Sequence, residues 1–314
     1  MSNIHKVCII GGGCAGLSAG IYCSRANLNP IIFTGDYDEK GGLLMKTSIV
    51  ENYPGYLEIN GYELIENMEN QAIKHGAKVI NRLIKNININ KNPFELIDSE
   101  NDIYYSETII IATGSKPNKL NLPLEDKFWA NGISSCAVCD GALFRNKKIV
   151  VIGGGDSAME EALFLTKFSE VKLIHRRDKF RASKIMQERV LSNPKIKIIY
   201  NSIITELHGN NSLESITIKN LLTNEITNLE VDGLFYGLGL TPNTELFQRR
   251  RQNLVDMDQN GYIVCNHPYY STMTSIPGIF VAGDAHDKIY KQAIVAAGEG
   301  CKAALDVDRY LNEK

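Results

Sequence analysis

The chain opens on a short apolar run over residues 6–10 that empties into Gly11, Gly12 and Gly13, followed by a helical pattern over 15–26 and a second apolar run over 30–33. Short apolar runs bounded by glycine, with a helix-length segment between them, predict a strand–helix–strand unit. The same succession returns at residue 148: an IVVI run, Gly153 to Gly155, a helical stretch to about Phe168, and a strand over 171–175. Between the two lies a mixed region whose apolar strand over 108–112 ends in Thr113 and Gly114. Beyond the second unit come a β-rich stretch over roughly 198–229, a strand over 233–236 and a strand with a tight acidic turn over 279–285. A long Ala-rich helix follows from Gln292. The stretches 112–114 and 237–243 read as strand-to-loop exits where the chain crosses between domains. The expected fold class is α/β, with two Rossmann-like dinucleotide-binding domains. The second, residues 117–243, is inserted into the first, which is made of residues 1–116 and 244–314.

A length of 314 residues fits two domains. A net charge of −2 leaves no basic surplus for holding a nucleic acid or an anionic membrane, so neither is an expected partner. No apolar run approaches the roughly 20 residues needed to span a bilayer, and the glycine turn follows the start too closely for a targeting segment. A cytoplasmic location is therefore expected. Seven scattered cysteines do not resemble the framework of a small secreted domain. Only Cys136 and Cys139 form a CxxC, and no second pair or matching histidine spacing supports zinc, so no metal is expected.

Candidate chemistry sits where the pattern changes. Gly11, Gly13 and Gly16 form a GxGxxG at a strand-to-helix turn, where glycines let the backbone approach a pyrophosphate and a helix N-terminus supplies N–H donors. Gly153, Gly155 and Ala158 repeat it as GxGxxA, with Asp156 and Ser157 between. Two such turns are far more specific than one, because each binds its own nucleotide. The acid that normally holds a ribose is missing after the first unit's second strand, where Phe33, Thr34 and Gly35 stand; Asp36, Asp38 and Glu39 follow shortly. In the second unit that place holds His175, Arg176, Arg177 and then Arg181. Guanidinium forks match a phosphate bidentately, which favours the 2′-phosphate of NADPH over NADH. About a dozen residues before the strand that leads into the second glycine turn, Cys136 and Cys139 can close a small disulfide suited to thiol exchange, with Asp140 able to give and take its proton. Cys8, Cys14, Cys23, Cys265 and Cys301 read as packing residues.

In order along the chain, GGGCAG, VENYPG at 50–55, ATG at 112–114, CAVCDG, GGGDSA, HRRDKFR, LTPN and GIFVAGDA resemble the thioredoxin reductases of the short class. The segment from Lys288 to Gly300 completes the match, which runs nearly the whole length. This resemblance implies an FAD site at Gly11, Gly13, Gly16, Asn52, Gly114, Asp284, Gln292 and Ala293. It implies an NADPH site at Gly153, Gly155, Asp156, Ser157, His175, Arg176, Arg177 and Arg181. Cys136 and Cys139 are then the redox disulfide, Cys139 on the flavin side and Cys136 exchanging with thioredoxin, in a homodimer. A flavin reductase or oxidase of the same fold, acting on a small-molecule disulfide or another carrier, is the alternative. Three departures stand out: Cys14 replaces a proline, Leu43 a glutamine, and Ala142 with Leu143 an aromatic pair. Because the dithiol and the NADPH turn share one insert yet must both reach one flavin, that insert is expected to rotate during turnover.

Overall fold

The computed structural model describes residues 4–36, 40–46, 49–249 and 253–313, and the chain divides into two compact units. One comprises Met1–Lys116 with Thr241–Lys314; the other is the continuous stretch Pro117–Leu240.

The first unit is built on a sheet with strand order Lys78–Ile80, Ile31–Phe33, Ile4–Ile10, Ile103–Ile111. These four run parallel. The strand Ile103–Ile111 is longer than the apolar run 108–112 suggests and changes partners along its length. Its start pairs antiparallel with Phe94–Asp98, and its end, Ile109 to Ile111, pairs parallel with Ile279–Val281. Side chains alternate across a strand, so one run feeds two cores. Val7 and Ile9 pack under the helices Cys14–Arg25, Gly61–Lys74 and Ala293–Asn312, while Cys8 and Ile10 join Ile109, Ile111 and Phe247 on the other face. The first and last helices approach closely: a Cβ on Gly300 would sit 2.0 Å from the Ala15 carbonyl oxygen.

The second unit repeats the plan. Its parallel sheet runs Ile133–Ser134, Gly233–Gly237, Ile149–Gly153, Val171–Ile174, Ile196–Ile199. Val151 points into the core formed with the helix Asp156–Leu165, and Val150 and Ile152 into a second core with Leu207 and Ile216. The β-rich stretch is a three-stranded antiparallel meander, Ser202–His208, Ser215–Asn220 and Ile226–Glu230. The helix Asp156–Leu165 stops short of Phe168, because Lys167 and Phe168 turn back onto the carbonyls of Phe164 and Leu165. Where the chain leaves and re-enters the first unit, the short strands Ser115–Pro117 and Leu240–Pro242 pair. Among the described residues no helix is long and apolar enough to cross a membrane.

Candidate functional site

The cysteine pair lies in the second unit, just after the strand Ile133–Ser134. Cys136 caps the one-turn helix Ala137–Asp140 and is joined to Cys139 by a disulfide, with Cα atoms 5.3 Å apart. The Cys139 N–H donates to Cys136 Sγ at 3.2 Å, so a negative charge on Cys136 would meet a donor already in place. Ser134 wires the turn to its acid: its hydroxyl accepts the Cys136 N–H at 3.0 Å and donates to Asp140 Oδ2 at 2.5 Å. Burial pushes the Asp140 carboxyl above the usual carboxylate range, against the opposing pull of that hydrogen bond. Ala137 anchors the turn in the core, whereas Val138, Ala142 and Leu143 are exposed beside the disulfide.

The glycine turn of the same unit is shaped by close approaches. Gly153 has φ +145°, and a Cβ there would lie 2.4 Å from the Gly237 carbonyl oxygen. At Gly155, which caps the helix Asp156–Leu165, a Cβ would meet nothing within 4 Å. That open space over a helix start is what a pyrophosphate needs, and Gly155 is the glycine the fingerprint reserves for it. The segment after the second strand is tied to the turn: the Arg181 N–H donates to Gly154 O at 2.7 Å, and Asp156 Oδ1 accepts both the N–H and the hydroxyl of Ser183 at 2.8 Å. Arg176, Arg177, Arg181 and Ser157 are exposed, and none of the three guanidinium groups is paired with a carboxylate among the described residues. His175 differs from the arginines that follow it. It is buried, its Nδ1 lies 2.9 Å from Gly153 O and its Nε2 2.9 Å from Lys179 O, and its ring occupies the space a Cβ on Gly154 would take. The side chain braces the turn from behind, with both nitrogens already used.

In the first unit, Gly11 has φ +119° and a Cβ on it would sit 2.0 Å from Ala112 O; a Cβ on Gly16 would sit 1.9 Å from Gly11 O. Gly13 caps the helix Cys14–Arg25, and its nearest neighbour to a Cβ is 3.8 Å away; Gly114 has none within 4 Å. These openings again suit a dinucleotide. Asp284 lies in the acidic turn Gly283–Ala285, where its Oδ2 accepts the Ser115 hydroxyl at 2.9 Å and burial raises its carboxyl. The turn is held by Glu299, whose Oε2 accepts the Gly283 N–H at 2.7 Å. Gln292 caps the last helix ahead of Ala293, and the Asn52 amide donates to its Oε1 at 3.4 Å, joining two candidate FAD residues far apart in sequence. Cys14 is buried, its thiol pushed up to about 12 by desolvation with Asp284 adding to it. At the second strand's exit, where a ribose acid is usual, Thr34 is buried and its hydroxyl donates to Asn81 Oδ1 at 2.8 Å. Asp36 is exposed and accepts from Ser99, while Asp38 and Glu39 lie outside the described residues.

One charged side chain near the dithiol has no signal in the sequence. Glu161, on the helix that packs against Ala137–Asp140, has its Oε2 buried with no hydrogen-bond partner among the described residues. In sequence it is one of two adjacent glutamates on a helix, a pattern that signals solvent rather than burial. No cluster that could hold a metal ion occurs among the described residues.

Residues 5–300 match the family described as Pyridine nucleotide-disulphide oxidoreductase. The chain is 47% identical to thioredoxin reductase of Spironucleus barkhanus, over 96% of this chain and 97% of that protein. It is 44% identical to thioredoxin reductase of Dictyostelium discoideum, over 99% and 98%. Among solved structures, thioredoxin reductase from Giardia duodenalis superposes with a TM-score of 0.90 at 41% identity, covering 99% of this chain and 100% of that one.

Proposed function

The chain belongs to the pyridine nucleotide-disulphide oxidoreductase family, and from that premise we propose that it is an NADPH-dependent thioredoxin reductase that works through FAD and the Cys136–Cys139 disulfide. Bound NADPH supplies a hydride, and bound FAD relays its two electrons to sulfur. Gly11, Gly13, Gly16, Gly114, Asn52, Asp284, Gln292 and Ala293 would hold the FAD. Gly153, Gly155, Asp156 and Ser157 would hold the pyrophosphate of NADPH, and Arg176, Arg177 and Arg181 its 2′-phosphate. His175 keeps that cradle in shape.

The observation that carries the reading is the wiring of the dithiol: a disulfide whose Cys136 sulfur already faces an N–H, next to a buried acid bonded through Ser134. When two electrons and one proton open the disulfide, the S–S bond breaks to a thiol at Cys139 and a thiolate at Cys136. Cys136 keeps its charge more easily, because the Cys139 N–H stabilises it, and is the better nucleophile towards an incoming disulfide. Its attack on thioredoxin breaks the partner's S–S bond and releases a thiolate, to which Asp140 gives its proton. Cys139 then closes on Cys136 and frees the reduced thioredoxin. Exposed Val138, Ala142 and Leu143 give that partner an apolar surface beside the sulfurs. A homodimer is carried by the resemblance alone.

Cys136→Ser and Cys139→Ser test the reading. Each is expected to lower NADPH-driven reduction of thioredoxin by at least about a thousandfold while NADPH still bleaches the flavin, since hydride transfer involves no sulfur. Near wild-type reduction of thioredoxin by either variant overturns the assignment. Robust turnover with a small-molecule disulfide but none with thioredoxin would move the substrate to the alternative class.

A further inference from the structure

A cycle in which Asp140 gives its proton away needs that proton restored, and burial already disfavours the bare Asp140 carboxylate. The surroundings of Asp140 hold a second carboxyl. Glu161 lies on the helix Asp156–Leu165, which packs against the short helix that ends in Asp140. Its Oε2 is shut off from solvent and bonded to nothing among the described residues. A buried carboxylate oxygen without a donor is strongly disfavoured, whereas a protonated carboxyl does not carry that charge.

We infer that Glu161 is a positioning residue for thiol exchange: with Asp140 it forms a buried carboxyl pair behind the dithiol, from which Asp140 is re-protonated after it has given its proton to a thiolate. The inference rests on the role proposed above for Asp140. The charged groups that act on Glu161 are Asp140, from the helix packed against it, and Glu160 beside it on its own helix, and both have the same sign. Burial first, then these like charges, pushes the Glu161 carboxyl up to about 8. Burial raises Asp140 in the same direction. The pair therefore keeps a proton at neutral pH, when an isolated carboxyl would have lost it.

Protons and electrons then balance over one cycle. With two electrons and one proton that bound NADPH and FAD would supply, the Cys136–Cys139 bond opens to leave Cys139 as the thiol and Cys136 as the thiolate. Cys136 attacks an external disulfide, whose S–S bond breaks, and the released thiolate takes its proton from Asp140. Glu161 passes its own proton to Asp140 and is refilled from solvent. Cys139 closes on Cys136, and its proton goes to the second external sulfur. The proton-loaded pair is present below about pH 8 and is lost as pH rises through it.

The test is a pH profile of thioredoxin reduction for the wild type, Glu161→Gln, Asp140→Asn and the double variant. Glu161→Gln removes the carboxyl that keeps its proton up to about pH 8, so the alkaline limb is left to Asp140, which burial alone holds up. The alkaline limb is expected to move down by at least about one pH unit, with a loss of about tenfold near pH 8. The double variant is expected to be no slower than Asp140→Asn alone, because Glu161 acts through Asp140. An unmoved limb, or losses that multiply in the double variant, overturns the inference. If Asp140→Asn itself reduces thioredoxin at the wild-type rate, the acid role of Asp140 fails instead, and Glu161 with it. Should Glu161→Gln not fold, infrared spectra of the wild type decide: a protonated-carboxyl band that disappears between about pH 6 and pH 9 supports the pair, and its absence throughout refutes it.

Discussion

The two glycine turns of this chain share a backbone design and differ in what stands at the exit of the next strand. In both, the first glycine has positive φ and lies against a carbonyl of the neighbouring strand, and the second caps a helix and leaves its Cβ position open. At the exit in the first unit, Thr34 is buried and committed to Asn81. In the second unit, Arg176, Arg177 and Arg181 stand free over a turn braced by His175. The turn thus recognises what all dinucleotides have, a pyrophosphate, and the exit decides which dinucleotide is accepted. A sequence motif for the first says little about the second.

The shared backbone is where the largest effect is expected. Gly11→Ala forces a methyl group to 2.0 Å from Ala112 O at a φ of +119°. We expect a loss of about 3 kcal/mol or more of stability, seen as a lower Tm, and purified protein with little flavin. A variant as stable and yellow as the wild type would show that the first turn is not built as described. The differing exits respond less and more selectively. Arg176→Ala with Arg181→Ala should weaken NADPH binding by about tenfold to a hundredfold for each guanidinium removed, roughly 1.5–3 kcal/mol each, and leave NADH unaffected. Equal losses for both nucleotides in steady-state KM would remove the arginines from the 2′-phosphate. The smallest effect sharpens the contrast between one glycine and another. Gly155→Ala meets no atom within 4 Å, so Tm should shift by no more than about 1 °C to 2 °C, while KM for NADPH rises several-fold because the added methyl stands where the pyrophosphate comes closest. An unchanged KM would mean that the nucleotide does not reach this turn.

Much of this architecture is legible in the sequence. Strands buried on both faces appear as unbroken apolar runs, as at Cys8 to Ile10 and Ile149 to Ile152, and glycines at a strand-to-helix turn announce themselves. The CxxC is equally plain, since its partners Ser134 and Asp140 are local. What stays hidden depends on interactions made across the fold. His175 reads as the first member of a basic cluster, and only the carbonyls of Gly153 and Lys179 reveal it as a brace. Glu161 reads as a solvated helix position, and only the fold shows its Oε2 buried on the helix that packs against the one ending in Asp140. Thr34, which stands where a ribose acid is usual, is committed to Asn81, a pairing that no local pattern announces. The helix ends at Leu165 although the pattern carries it to Phe168, because Phe168 continues the apolar period after the backbone has turned.

The late partner of the strand Ile103–Ile111 sets an order of assembly on the ribosome. Its end pairs with Ile279–Val281, and the first helix packs against Ala293–Asn312, so the sheet and helix layer of the first unit stay incomplete until nearly the whole chain has been translated. The second unit is one continuous stretch, Pro117–Leu240, and has all its strands as soon as that stretch emerges. Domains generally fold as units during synthesis, and pairings between distant residues form slowly. The nascent chain therefore carries a finished insert on an open, unpaired edge, and that edge at Ile109 to Ile111 is where a holding chaperone has the most to cover.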